Sequence, residues 1–253
     1  TRITPPSPQE EENRQLTALR ERIGRLCTRT VNKVQRLLLK HNLQQQCPTK
    51  SVKTKKARRW LAELALGKID RLEMDALLAE WSLLEKHLKE VDGEIDRRHR
   101  KNGKAILVSS VPGLPQYGGL AVASRVSQIE RFPRGASLAN FFGLAPGCRN
   151  SGNTRNRMGS ITKQGSTMVR FILGQAVLHV LRDDPWMRGW YREVKRRRGS
   201  KVARVAVMRR LATILWSMLK YNIPYIRGGP EEFRRAREAM ATLRKEGRVA
   251  ARA

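Results

Sequence analysis

Apolar positions along this chain recur mostly three and four residues apart, the period of an α-helix. From Glu10 to about Gln46, Leu16, Leu19, Ile23 and Leu26 alternate those two spacings and form a coiled-coil seam. Pro8 stops any helix before it and leaves 1–8 as a Pro-rich lead-in. Cys47-Pro48 breaks the seam, and Lys50, Lys53, Lys55, Lys56, Arg58 and Arg59 then lead into a short helix ending near Gly67. A third helix starts near Asp70, where Trp81, Leu84, Leu88, Val91 and Ile95 repeat the seam. Two long seams joined by a short connection predict an antiparallel coiled-coil hairpin that also offers a dimer surface.

Beyond Asn102-Gly103 the periodic segments shorten. Ile106–Val111 is an apolar run stopped by Pro112-Gly113. A helix over 116–129 follows, then one over 136–142 with Gly143 as its C-cap. Residues 144–165 read as a loop rich in Gly, Asn, Ser and Arg, with no strand pairs. The next helix, 166–182, is apolar on most sides and predicted to be buried, with His179 a core residue. Asp184-Pro185 supplies an N-cap and a proline at the first helical position. That helix ends in Lys195-Arg196-Arg197-Arg198, and Ser200 caps another. Arg210, Thr213, Ser217 and Lys220 form its polar stripe, which leaves Leu211, Ile214, Leu215 and Met218 to pack. Pro224 ends it, and a charged surface helix follows from Pro230. The predicted fold class is predominantly α.

Charge then narrows the function. Against 22 acidic side chains stand 52 Lys and Arg, a formal net charge of +30 in 253 residues. Such a field argues for a nucleic-acid partner and against an enzyme acting freely on small metabolites. A basic membrane-surface protein is the plainer rival. Residues 1–104 carry net +10 and residues 105–253 net +20. No Asp or Glu occurs between Glu130 and Asp183, whereas Arg131, Arg134, Arg149, Arg155, Arg157, Lys163, Arg170 and Arg182 do. A solvated surface mixes signs, so phosphates are the expected neighbours of this window. Clusters 97–101 and 195–198 fit backbone contact with nucleic acid, without reading of sequence.

Other chemistries find little support. Cys27, Cys47 and Cys148 make an odd count without a CxxC pair, and His41, His87, His99 and His179 show no HExxH spacing. No metal site is predicted within this chain, and a reducing compartment fits. No apolar run reaches the roughly 18–20 residues of a membrane helix, and no signal peptide opens the sequence. Its start at Thr1 reads as a cut.

One loop concentrates the remaining candidates. Gly143 through Gly165 holds Ser151 among five glycines, with Arg149, Arg155, Arg157 and Lys163 around it. Glycines let backbone N–H groups approach an anion. A serine hydroxyl needs a base or a strongly polarised phosphate before it attacks, and the arginines supply the second. A phosphate-binding loop whose serine only hydrogen-bonds backbone fits the same spacing. Ser160 and Ser166 read as turn and helix-cap residues. Val111-Pro-Gly113-Leu-Pro115-Gln-Tyr-Gly118-Gly119 fits a helix–hairpin–helix turn aiming a helix N-terminus at a phosphate. An ordinary Pro-Gly turn fits it as well.

Several of these segments in order resemble a known family: Val111-Pro-Gly113, Phe132-Pro133, Leu138 to Pro146, Ser151-Gly152, Gly159 to Gly165, Asp184-Pro185, and Lys201 to Leu219. Together, over about 105–226, they resemble the C-terminal domain of the IS110/IS1111 insertion-sequence transposases, relatives of the Piv-type DNA invertases. The resemblance implies a helical hairpin region at 1–104, a compact serine-bearing domain with a helix–hairpin–helix-like turn at 105–226 and a charged tail at 227–253. It implies a bacterial DNA recombinase guided by a noncoding RNA, cytoplasmic and nucleoid-associated, acting as a dimer or tetramer. Ser151 is then the nucleophile that forms a phosphoserine link to DNA. Arg149, Arg155, Arg157 and Lys163 are nominated as helpers on electrostatic grounds, and Arg209 from the segment Val-Ala-Val-Met-Arg. In the family a RuvC-like N-terminal domain binds magnesium through four acids. That domain is not in this sequence, so the expectation is a chain that binds nucleic acid, holds no cofactor itself and is inactive alone. A non-catalytic DNA- or RNA-binding protein is the alternative.

Overall fold

The structure is a computed structural model that describes residues 5–148 and 158–245. Among the described residues there are nine α-helices and one two-stranded sheet, so the fold is predominantly α. None of these helices is long and apolar enough to cross a membrane. The chain divides into two compact units, 15–95 and a second made of 1–14 with 96–253.

In the first unit, the relevant parts of α1 (Pro8–Lys40) and α3 (Lys68–Arg100) run antiparallel. Arg20 Nε meets Asp92 at 2.9 Å and Lys40 Nζ meets Asp70 at 2.7 Å, so position rises on one helix as it falls on the other. Ile23, Val31, Val34, Leu37 and Leu38 of α1 are buried, as are Met74, Leu77, Trp81 and Ile95 of α3. Of the seam positions, Ile23, Trp81 and Ile95 belong to this buried set, and Leu16, Leu19, Leu84, Leu88 and Val91 are half-buried. Leu26 is an exception: it belongs to the sequence seam yet stands exposed. The buried stripe has shifted onto Thr30 and Val31 by that point of the helix.

Between them, α2 (Lys55–Glu63) buries Ala57 and Leu61 on the same core. Thr54 caps it through Ala57 N–H. At its other end Arg71 donates to the carbonyls of Leu61, Ala62 and Leu64, the orphan acceptors of a helix C-terminus. Arg58 lies 3.9 Å over the Trp81 ring and pairs with Glu85. Two members of the basic run at 50–59 therefore have different fates: Arg58 packs inward, while Arg59 is exposed.

The second unit starts with a reciprocal capping box. Ser7 Oγ accepts from Glu10 N–H, and Glu10 Oε2 accepts from Ser7 N–H. Glu10 Oε2 also accepts from Ser127 Oγ at 2.7 Å, while Arg14 donates to the Ser124 carbonyl and Lys104 to that of Ser127. The Glu10 and Arg14 bonds tie the first turns of α1 to the end of α5 (Gln116–Val126).

The run read as an apolar segment at 106–111 is part of α4 (Gly103–Ser109), which Asn102 caps through Ala105 N–H. α4 and α5 pack closely because Gly119 has no side chain: a Cβ there would lie 2.0 Å from Ser109 Oγ. α6 (Gly135–Phe141), α7 (Thr167–Asp183) and α8 (Pro185–Tyr221) complete the core around Leu138, Leu173, Val177, Leu211 and Leu215. α8 breaks at Gly199, whose φ of 81° interrupts the helix between the basic cluster and Ser200. The tail helix α9 (Pro230–Lys245) is charged, as predicted, but its Phe233 packs on the core.

Two expectations need correction. A strand pair does exist, β1 (Pro146–Cys148) antiparallel to β2 (Met158–Ile161). Such short, glycine-containing strands lack the alternating β-branched pattern that marks strands in sequence. His179 is not a core residue: it is exposed on α7, beside Arg182. The helix buries a narrower stripe than its composition suggested, leaving Phe171 and Leu178 exposed too.

Candidate nucleic-acid interface

Ser151, Arg149, Arg155 and Arg157 lie outside the described residues; Lys163 and Arg209 lie within them. The described residues that flank this segment are 143–148 and 158–165. α6 ends in a Schellman motif: Leu144 N–H donates to Ala139 O at 3.0 Å and Gly143 N–H to Asn140 O at 2.8 Å. Gly143 has φ +70°, and a Cβ on it would lie 2.3 Å from the Gln164 carbonyl oxygen. Across from it Gly165 has φ +124°, where a Cβ would sit 2.2 Å from Phe141 O. Only two glycines let these backbone segments touch.

Further bonds close this contact into a clasp. Lys163 N–H donates to Gly143 O at 3.1 Å and Thr162 N–H to Ala145 O at 2.9 Å. Arg170, from the first turns of α7, donates to Phe142 O at 3.1 Å and to Gly165 O at 3.0 Å. Ser166 caps α7 through Val169 N–H, as expected of it. The glycines at both ends of the Ser151 segment thus have a structural cause in backbone packing.

Among the described residues of the acid-free window, part of the charge has a partner inside the fold. Arg170 is committed to the clasp. Arg131 stacks 4.6 Å from the Phe132 and Phe141 rings, and its Nε is buried without a partner among the described residues. Arg182 pairs with Asp183 at 3.1 Å. Lys163 and Arg134 remain exposed. Lys163 combines that exposure with a left-handed backbone, φ 57°, which the hydrogen bond from its N–H to Gly143 O stabilises.

The turn between α4 and α5 is also held from behind. Gly113 has φ +83°, and a Cβ on it would lie 2.8 Å from the His179 side chain. Leu114 is buried, and α5 starts at Pro115 without a side-chain cap bond. A helix–turn–helix with a glycine at its bend is therefore present, docked on α7.

Arg209 lies apart from the clasp in the chain, on the second arm of α8. It lines a cavity of about 480 Å³ bounded by both arms of α8, the 225–229 segment and α9. The polar stripe read from sequence supplies part of its wall, through Arg210, Thr213 and Ser217. Arg210 lies 4.4 Å from the Trp186 ring and 4.6 Å from Trp190. Burial pushes its guanidinium pKa downward. Asp184 is almost wholly buried there and fully engaged. One oxygen accepts Trp186 and Met187 N–H, and the other accepts Tyr225 O–H at 2.7 Å. Burial and that bond raise the Tyr225 pKa well above the ordinary phenol range. The helix-cap role of Asp184 was legible in Asp-Pro; its partnership with Tyr225 had no sequence signal.

Comparison with known proteins agrees with the ordered motifs. Residues 105–192 match the family model described as Transposase IS116/IS110/IS902 family. The chain is 26% identical over 230 residues to the transposase for insertion sequence element IS1111A of Coxiella burnetii. That match covers 86% of this chain and 61% of the relative. It is 28% identical over 152 residues to the 42 kDa protein of insertion element IS900 of Mycobacterium paratuberculosis, covering 59% and 38% respectively. The chain thus spans less than two thirds of the length of these relatives. From the Val111-Pro-Gly113 turn through the clasp glycines to the Asp184-Pro185 cap, residues 105–192 are thus similar to the IS110-type family of insertion-sequence transposases.

Proposed function

We propose that this chain is the serine-bearing part of a DNA strand-exchange enzyme of a bacterial insertion sequence. The observation that carries this reading is the clasp. It fixes both ends of the segment bearing Ser151 by backbone packing and Arg170, while Lys163 stays exposed beside it. A serine that attacks DNA needs a rigid base for its loop, because small misplacement of a reacting group costs orders of magnitude in rate. In the proposed step Ser151 Oγ attacks phosphorus and a phosphodiester P–O bond breaks. The serine proton ends on the departing strand's oxygen, leaving a phosphoserine ester. Arg149, Arg155, Arg157 and Lys163 stabilise the added negative charge, and Arg209 contributes to nucleic-acid binding. A guide RNA, assembly as a dimer or tetramer through the helical hairpin, and a cytoplasmic, nucleoid-associated site of action belong to the same proposal.

The described residues do not suit the magnesium that the resemblance implies. Among them no group of three or more His, Cys, Asp or Glu could hold a metal ion. The buried Asp184 has its oxygens occupied by N–H and O–H donors. No step is assigned to a metal held by these residues; in this reading it belongs to a RuvC-like domain.

The test joins this chain to a RuvC-like domain and assays strand exchange. Ser151→Ala is expected to abolish exchange and the covalent protein–DNA adduct while DNA binding survives. Full exchange by that variant would remove Ser151 as nucleophile. Binding without any adduct in the parent protein would favour the non-catalytic alternative.

A further inference from the structure

The cavity on α8 has a composition that the serine chemistry does not use. Its walls carry Trp186, Trp190 and Phe233, three aromatic rings that are each only partly buried. Beside them stand two guanidiniums. The Arg209 guanidinium has no hydrogen bond or ion pair among the described residues, and that of Arg210 has only the two tryptophan rings. A cavity with two arginines ordinarily needs an acid to balance it. The acid present, Asp184, is saturated by two amides and the Tyr225 hydroxyl, so the arginines keep their charge for something else.

We infer that this cavity takes one unpaired nucleotide, its base among the aromatic rings and its phosphate on Arg209. This rests on the nucleic-acid reading above and extends it. Aromatic stacking accepts any base, because every base has a π-face, and arginine adds cation–π and phosphate contact. The volume lies in the range that encloses a small ligand. A base within a duplex is covered by its stacked neighbours and cannot enter such a cavity, so the site discriminates single strands from paired ones. A purely apolar ligand would leave both guanidiniums uncompensated.

The experiment uses the full chain with short single-stranded DNA, single-stranded RNA of matching sequence, and the corresponding DNA duplex. Tryptophan emission and fluorescence anisotropy are read together. Single strands are expected to quench emission, and the duplex to bind without quenching. Trp190→Leu and Phe233→Ala should each weaken single-strand binding about tenfold or more, with duplex binding changed less than about twofold. Trp190→Phe should retain most of the affinity. Strands carrying abasic positions should lose the same tenfold in the parent and nothing further in Trp190→Leu. Stronger quenching by one sugar type names the source of the nucleotide. Equal losses on single strands and duplex, or no loss in either correctly folded variant, overturn the cavity proposal while leaving the nucleic-acid reading intact. Failure of the parent chain to bind any of the three nucleic acids overturns both.

Discussion

The clasp at Gly143 and Gly165 and the cavity on α8 both contain arginines, but they use them in opposite ways. Arg170 gives its donors to Phe142 and Gly165 carbonyls, so its charge is spent inside the fold. Arg209 keeps its donors, because the nearby Asp184 is already filled by Tyr225 and the α8 amides. Net charge in the sequence therefore overstates the charge left without an internal partner in one region more than in the other. Burial and hydrogen bonding decide which is which.

The comparison can be broken most forcefully at the clasp glycines. Gly165→Ala and Gly143→Ala each place a Cβ within 2.3 Å of a backbone carbonyl oxygen, at a φ that L residues rarely adopt. Neither backbone can yield without unravelling the Schellman turn. Each change is expected to destabilise the 96–253 unit on the order of 3–5 kcal/mol, and to abolish exchange in the joined enzyme. Thermal unfolding followed by circular dichroism measures the first effect. Gly67→Ala is the matched control, since nothing lies within 4 Å of a Cβ there. A stable Gly165→Ala protein would mean that the close approach is not needed.

Arginine exchanges between the regions give a smaller and sharper contrast. Arg170→Ala should lower stability by roughly 1–3 kcal/mol, because two carbonyls lose a charged donor. Amide hydrogen exchange should quicken at Thr162 and Lys163, whose N–H groups close the clasp, and stay unchanged at Val34 and Leu37. Arg170→Lys should not restore protection, since one ammonium cannot reproduce the guanidinium fork. Arg209→Ala should instead leave stability within about 0.5 kcal/mol. It should reduce the slope of log binding constant against log salt by about one. If Arg209→Ala proved the more destabilising of the two, the assignment of roles would be reversed.

How much of this was visible beforehand differs by element. The helices of the hairpin follow from three-four spacing, but a straight helix drifts out of a heptad seam, so Ile23 is buried while Leu16 and Leu19 are half-buried and Leu26 is exposed. Ser166, Asp184 and Pro185 announced helix starts by local chemistry that needs no tertiary partner. Ser7-Pro-Gln-Glu10 carries a capping-box signature just as local. The strand pair, the Arg170 bonds and the Tyr225–Asp184 contact are different. They join residues brought together only by the fold, and neither periodicity nor spacing encodes them. The loop glycines sit between the two cases: a phosphate cradle and a backbone crossing demand the same residue, and only the Gly143–Gly165 approach reveals the crossing.

Next in size comes the cavity's internal acid. Tyr225→Phe removes the single O–H donor to Asp184 and should cost about 1–2 kcal/mol, since a buried carboxylate oxygen loses its partner. If Asp184 then turns to Arg209 or Arg210, single-strand binding should weaken as well, although Tyr225 itself offers no positive charge. Urea unfolding and single-strand affinity of the same variant test both halves. Unchanged binding with lowered stability would show that the arginines are kept apart from Asp184 by packing, not by its saturation.

The smallest expected effect is on pH dependence, and it concerns two groups outside both regions. Burial works against the charged form of Glu10, but hydrogen bonds from Ser127 and Ser7 and the field of Lys104 outweigh it and hold the carboxyl below its ordinary range. Its contribution is therefore present above the unfolded-state value near 4.5 and lost as pH falls through the lower folded one. Burial likewise depresses the His99 imidazole below 6.5, with Asp96 opposing and Arg100 assisting. The unfolded chain then binds the proton first, so stability declines as pH drops from about 6.5 toward the folded value. Both groups are only half-buried, and screening limits the combined change to a few degrees of melting temperature. His99 Nε2 lies 2.9 Å from Ser109 Oγ, the atom that also faces Gly119, so the readout reports on the α4–α5 contact. His99→Gln should flatten the melting-temperature slope between pH 7 and 5.5 and leave the steeper acid limb below pH 4.5, where Glu10 titrates. A slope unchanged by His99→Gln would assign it to other groups.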